Sequence, residues 1–424
     1  MKRSLLTTIL AVGALMFSLF IPGRAPAQIV YNVTDLGVLN EIPGVPPPLP
    51  VSSGGFLLSC HMGLNQQGWT EGMEGFVDEN YNFVGRATVE IDGMKIDLGT
   101  LGGTNSWINW GGINQRGSAV GLAETPVPDP DGEDICGFGT GLTCRPFLWQ
   151  NGHMSALPTL GGNNGQASAI NSMGQIAGQA ETAVVDAECA PHKVAPPVLW
   201  ENGKAQELPT VAGDPDGIAY GINDFGEAVG FTSTCTDSVV HAVLWQNGAA
   251  TELPDLGSTT DNVAVAINNR GQIVGHSSAD STTFVAVLWQ GGAITKLGVL
   301  PGDFAAFGSG INEKGQVVGS TLDVNFNFSR AFIWENGVMT DLNTLFLAGS
   351  NLYATMANKI NDAGEISGMA TVISGPHAGE IHAFLATPVN PTAAAHGVPR
   401  PAHLTVPENF RKLLLQRFFP RRKF

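Results

Sequence analysis

Carboxylates make the clearest chemical pattern in this chain. Asp129-Pro130-Asp131-Gly132-Glu133-Asp134 and Asp214-Pro215-Asp216-Gly217 place acids at alternating positions. That spacing could gather Ca2+, with Asp129, Asp131 and Asp134 as the expected ligands of the first run. Neither run has the length of an EF-hand loop, so a solvated acidic loop is the plainer reading, and no other cofactor is expected. Glu124, Glu181 and Asp186 lie on separate long segments, which a ring of loops could bring together as paired catalytic acids. Gly-x-Ser-x-Gly, His-Glu-x-x-His and phosphate-loop motifs are absent. His61, Trp110 and Lys359 are candidates of another kind, because each stands where an internal repeat otherwise has Gly or Ala.

The repeat has the form Ile/Leu-Asn-x-x-Gly-x-x-x-Gly. Its Asn falls at Asn65, Asn114, Asn171, Asn223, Asn268, Asn312 and Asn361, at intervals of 44 to 57 residues. Each interval has room for four short strands. Asn-x-x-Gly suits a tight hairpin between the first two, with Gly at the positive-φ position. A run such as Val285-Ala286-Val287-Leu288-Trp289 reads as the third strand. Asn151-Gly152, Asn202-Gly203, Asn247-Gly248 and Asn336-Gly337 then turn the chain into the fourth. Seven such units predict an all-β, seven-bladed β-propeller over residues 28–388, an open β-solenoid being the alternative. The seventh unit stops after His382-Ala383-Phe384-Leu385, and Val30 to Leu36 resembles its missing strand. Residues 29–36 are therefore expected beside 382–387, closing the ring.

Short uniform turns occupy one face of such a ring and long variable connections the other. Loops on a rigid frame are where binding usually resides. Three residues before the repeat Ile/Leu, and again one residue before it, Gly and Ala are the rule, and these two positions are expected to share a strand face. His61, Trp110 and Lys359 break the rule in blades 1, 2 and 7, which are neighbours in a closed ring. With Trp107 as an aromatic platform they form a candidate ligand patch. The plainer alternative is that backbone shifts make room for larger packing residues. Arg86, Arg145, His241, Arg330 and His382 recur just before the third-strand core and read as hydrogen-bond donors that build the blades.

Residues 1–27 have the pattern of a secretory signal: Lys2 and Arg3, an apolar stretch, then Ala25-Pro26-Ala27. A secreted, periplasmic or envelope location is expected. Cys60, Cys136, Cys144, Cys189 and Cys235 then suggest disulfides with one thiol left over. Cys136–Cys144 and Cys189–Cys235 are the expected pairs, although spacing alone does not derive either. The formal charge of −16 conceals an acidic body. Residues 28–388 carry 11 cations against 36 acids, while seven cations crowd the last 25 residues. Such a body repels phosphate backbones, which excludes nucleic acid as the expected partner. Residues 389–424 read as a linker and a short basic amphipathic helix, suited to an anionic envelope surface or to the acidic ring itself.

His382-Ala383-Phe384-Leu385, the Ala/Pro-Val/Phe-Leu/Ile-Trp runs and Asp97-Leu98-Gly99-Thr100-Leu101-Gly102-Gly103 resemble bacterial HAF-type extracellular repeat proteins over residues 29–388. The resemblance implies export and a repeat fold, and it carries no catalytic residues. The expected function is a monomeric, non-enzymatic scaffold that binds a glycan or an extracellular protein through its variable-loop face. A glycan-cleaving hydrolase or lyase is the alternative.

Overall fold

The computed structural model describes residues 29–37, 57–77, 83–108, 111–280, 283–325, 327–389 and 397–401. The expected signal segment, the connection 38–56, Trp110 and the expected basic helix of the tail lie outside them. The chain opens with β1 (Val30–Gly37). Blade 1 is β2 (Leu57–Leu64), β3 (Thr70–Val77), β4 (Phe83–Ile91) and β5 (Met94–Asp97). Blade 2 is β6 (Ser106–Trp107), β7 (Ala119–Pro128), β8 (Leu142–Gln150) and β9 (His153–Ala156). Blade 3 is β10 (Gly161–Ile170), β11 (Ile176–Thr182), β12 (Pro197–Glu201) and β13 (Lys204–Glu207). Blade 4 is β14 (Asp216–Ile222), β15 (Ala228–Ser233), β16 (Val240–Gln246) and β17 (Ala249–Glu252). Blade 5 is β18 (Val263–Ile267), β19 (Ile273–Ser278), β20 (Phe284–Gln290) and β21 (Ala293–Gly298). Blade 6 is β22 (Ala305–Ile311), β23 (Val317–Leu322), β24 (Phe328–Glu335) and β25 (Val338–Asp341). Blade 7 is β26 (Leu352–Ile360), β27 (Ile366–Val372) and β28 (Ile381–Val389), completed by β1. β1 pairs antiparallel with β28 from Val30↔Val389 to Asp35↔Phe384, as the complementary half-repeats require.

The repeat Asn does more than start a turn. Its Oδ1 accepts the N–H groups two and four residues on; for Asn268 these come from Arg270 and Gln272, both at 3.0 Å. Its Nδ2 then donates to the carbonyl of the corresponding Asn in the next blade: Asn65 to Asn114, Asn114 to Asn171, and so on to Asn312 and Asn361. Asn361 donates to the Asn65 carbonyl at 3.2 Å, so seven side chains form a closed belt around the axis. That bond excludes an open solenoid.

Close packing explains the second repeat Gly. A Cβ at Gly230 would stand 1.9 Å from the Ile218 carbonyl oxygen, and one at Gly275 2.0 Å from that of Val263. Facing these glycines, the innermost strand bulges in six blades, between His61/Gly63, Ala167/Ala169, Ala219/Gly221, Ala264/Ala266, Gly308/Gly310 and Ala357/Lys359. The bulge corrects the expectation that the two small-residue positions share a face. Gly308 points at Val274 and Gly275 of the preceding blade, whereas Gly310 points at Asn358 and Lys359 of the following one.

Third-strand tryptophans seal blade against blade. Trp200, Trp245 and Trp289 are buried, and each indole N–H donates to the carbonyl of a proline on the connection entering its blade: Pro158, Pro209 and Pro254. One apolar cluster draws Met62, Trp107, Tyr220, Val265, Phe307 and Met356 from the innermost strands of six blades.

Candidate functional site

Both expected disulfides are present, Cys136–Cys144 and Cys189–Cys235, and Cys60 is the free, buried thiol. The first bond closes the loop between β7 and β8. The second ties the β11–β12 loop of blade 3 to the β15–β16 loop of blade 4. Between these anchors, side chains knit the loops of blades 2 and 3 together. The Asn164 Oδ1 accepts the Cys144 N–H at 2.8 Å, which aims its Nδ2 at three carboxylates. It lies 2.6 Å from Asp129, 3.0 Å from Glu181 and 3.3 Å from Glu133. Glu181 also accepts the backbone N–H groups of Asn163 and Asn164, both at 2.9 Å. Asp131 receives Lys193 at 2.6 Å and the Asn163 amide at 2.8 Å, and His192 meets Glu133 at 2.5 Å. Blades 2, 3 and 4 thus share one braced wall on the variable-loop face.

This wall concentrates negative charge out of water. Burial, followed by hydrogen bonding to Glu181 and repulsion from Glu181, Asp129 and Asp131, pushes the Glu133 carboxyl up to about 8. Crowding of this kind favours the protonated form of the Glu133 carboxyl. Asp129, Asp131 and Glu133 offer oxygens within 4.8 Å of one another and could hold a cation, in competition with Lys193 and the two amides. Glu133 stands where Asp134 was expected. The Asp134 carboxylate turns back to accept the Gly139 N–H of its own loop at 2.8 Å.

The sequence matches no known family model and no curated protein. Among solved structures it is similar to an acylaminoacyl peptidase of Pyrococcus horikoshii, at 12% identity and a TM-score of 0.40, over 75% of this chain and 57% of that one. It is also similar to the β-propeller domain of the Trilobed protease from Pyrococcus furiosus, at 8% identity and a TM-score of 0.34, over 68% and 95%. A gluconolactonase from Xanthomonas campestris gives 9% identity and a TM-score of 0.35, over 78% and 87%. The chain spans little more than half the length of the first peptidase. The likeness lies in the propeller fold alone.

Other sequence candidates are dispersed. Glu124 accepts the Asn105 N–H and amide, both at 3.0 Å, and the Thr140 hydroxyl, within blade 2. Asp186 caps its own loop through the Glu188 N–H at 2.8 Å. Only Glu181 of those three acids joins the wall. Asp214 binds Thr232 and His241, both at 2.7 Å, while Asp216 accepts the Ala195 N–H at 2.7 Å, so the second acidic run braces strands. The recurring basic residues do the same: Arg86 pairs with Asp97 at 3.1 Å, Arg330 with Asp303 at 2.8 Å, and His382 with Asp35 at 2.8 Å.

Of the candidate patch, Trp110 lies outside the described residues, while His61, Trp107 and Lys359 stand on the innermost strands of blades 1, 2 and 7. Trp107 belongs to β6, pairs with Leu122 and exposes no surface. Lys359 lies at the opposite, Asn-turn end of its strand, paired with Ser367. His61 pairs with Gly72 through its backbone. The ammonium of Lys359 reaches blade 2, 3.3 Å from where a Gly111 Cβ would stand, and burial, partly opposed by Glu71, pushes it down to about 8. Glu71 is the partner that sequence reasoning missed. It occupies the space a Gly63 side chain would need and accepts the Gly112 N–H at 3.0 Å, and burial raises its carboxyl well above the usual range. The corresponding second-strand positions hold Val120, Ala177, Val229, Val274, Val318 and Ser367, so the same phase comparison would have found it.

Proposed function

We propose that this protein is an exported propeller scaffold that binds a glycan or an extracellular protein through the loop wall of blades 2 to 4. The observation that carries this reading is the bracing itself. Two disulfides and the Asn164-centred contacts lock long loops that blade closure does not need, and preorganised loops lower the entropic cost of binding. Val127, Val184 and Val185 are exposed on blades 2 and 3 of this wall, which places apolar surface on the same loops as the acids, as at protein interfaces. Two disulfides point to an oxidising compartment. The pattern of residues 1–27 and the HAF-type resemblance support export. The acidic body favours neutral or cationic partners, and the basic tail supports a peripheral contact with an anionic envelope surface or with the ring itself.

The test is a glycan array, together with purified envelope proteins, followed by titration of the tightest binder. Val184→Asp and Val185→Asp change only exposed residues. Each should weaken that binder by about 10-fold, the equivalent of ~1.4 kcal/mol. Full affinity in both folded variants sinks the wall as the binding face. A glycan-cleaving hydrolase is the second reading, favoured by one feature: burial and the neighbouring carboxylates raise the Glu133 carboxyl to about 8 on the same wall as Glu181. Release of reducing ends, abolished in Glu133→Gln, would decide for it.

A further inference from the structure

Blade 7 carries a second cluster on the loop face. The chain turns sharply after β27, with the Gly379 N–H bonded to the Val372 carbonyl at 2.8 Å and the Glu380 N–H to that of His377 at 3.0 Å. This turn brings the His377 Nδ1 to 3.2 Å from the Glu380 Oε2. The next strand begins at once, and the His382 Nε2 lies 3.0 Å from the same oxygen. The donor atoms of all three residues fall within 4.8 Å of one another. Two ligands held about 2.0–2.1 Å from one tetrahedral Zn2+ stand roughly 3.3 Å apart, so the cluster already has nearly the spacing of a zinc ligand set.

The other ring nitrogen of His382 supplies an independent observation. Its Nδ1 lies 2.8 Å and 3.0 Å from the two oxygens of Asp35, and Asp35 is itself fixed by the Gly37 N–H at 2.8 Å. A metal-binding histidine characteristically gives its second N–H to a carboxylate in this way, which sets its tautomer and aims its free lone pair. In blade 1 the residue at this phase, Arg86, pairs with the fourth-strand acid Asp97, and His382 with Asp35 is the counterpart. In blades 4 and 6 the basic residue also meets a second acid, Asp214 at His241 and Asp303 at Arg330, so the second imidazole, His377, is what sets blade 7 apart from them.

We propose that His377, Glu380 and His382 form a Zn2+ site, with Asp35 positioning His382 and a fourth coordination place open to solvent. The His377 side chain is 61% exposed, which leaves an entry path. Two imidazoles and one carboxylate favour Zn2+ over Ca2+ or Mg2+, which prefer oxygen ligands. Binding replaces the proton on the His382 Nε2 and releases it to solvent. Because Asp35 is on β1 and His382 on β28, the bound ion would also stiffen the strand pair that closes the ring.

The experiment is calorimetric titration of the tag-free full chain with Zn2+, paired with the visible spectrum of the Co2+ form. One Zn2+ per chain is expected, with a Kd of about 1 μM or tighter, together with intense tetrahedral Co2+ bands. His377→Ala removes an exposed side chain and should weaken binding by about 100-fold at unchanged metal-free Tm, while Asp35→Asn should weaken it by about 10-fold and shift the Co2+ bands. Glu133→Gln, on the other cluster, should bind Zn2+ as the wild type does. The proposal is overturned if the wild type takes up no Zn2+ at about 100 μM. It is equally overturned if His377→Ala binds normally, or if Glu133→Gln is the variant that loses the ion.

Discussion

The two faces of this ring hold charge and polarity in opposite ways. On the turn face, one residue type makes one bond seven times: each repeat Asn satisfies its own turn and donates to the next blade. On the loop face repetition is partial: the Asn105–Glu124 contact recurs as Asn164–Glu181, but the long loops around the two differ. Blades 2 to 4 are stapled by disulfides around buried acids, whereas blade 7 gathers two imidazoles and a carboxylate. The difference teaches where stability and function are separable. Uniform local bonds close the ring and leave the opposite loops free to diverge.

The largest expected effect breaks the uniform face. Asn268→Ala removes bonds to the Asn312 carbonyl at 2.9 Å and the Gln272 Oε1 at 2.8 Å, and orphans the Arg270 and Gln272 N–H groups. At about 1–3 kcal/mol per buried group left unsatisfied, the loss should reach about 4 kcal/mol. Denaturant unfolding would show it as a lower midpoint. Asn268→Asp keeps the acceptor and loses the donor, so it should cost less. Equal and small losses in both would mean that the belt is decoration on a ring held by packing alone.

What the sequence disclosed follows the same division. Asn-x-x-Gly and Asn-Gly were readable because a tight turn makes local demands on the backbone; Asn151, Asn202, Asn247 and Asn336 all have φ between 51° and 53°. The closure of β1 on β28 was readable because two half-repeats complement each other. The belt was not, since its acceptors are backbone carbonyls 44 to 57 residues away, or 296 for the closing bond, and carry no residue signature. Spacing misled at the bulge, where two positions counted as one face point to different blades. It misled again at Asp134, because the loop turns that carboxylate back on itself and presents Glu133 instead. His377 and Glu380 become visible only when the turn places them beside His382.

A smaller effect is expected on the loop face. Cys136→Ser with Cys144→Ser opens a loop spanning eight positions. Chain entropy puts the stability loss at about 2.5 kcal/mol. The wall should loosen more than the ring. Hydrogen exchange should rise in residues 129–141 while the belt amides, such as Gln272, keep their protection. Uniform exchange across both faces would show that the wall and the belt unfold together.

The smallest effect comes from a single proton. The Glu133 carboxyl, with an ordinary value of 4.5, is raised to about 8 in the folded chain, so the folded state holds its proton more tightly than the unfolded one. Its contribution to stability is therefore complete below pH 4.5 and is lost as the pH climbs through 8. His382 is also raised: burial works against its charged form, but Asp35 and Glu380 outweigh it, so its contribution fades only above its ordinary 6.5. Asp35 runs the other way, because its lowered value costs stability only as the pH falls. Glu133→Gln keeps the shape of the side chain and removes the titration. From pH 4.5 to 6.5 the wild-type Tm should fall relative to this variant by about 2 °C, before His382 begins to contribute. A constant gap across that range would mean that the Glu133 carboxyl is not raised in the folded chain, and that the wall is held by its amides and disulfides alone.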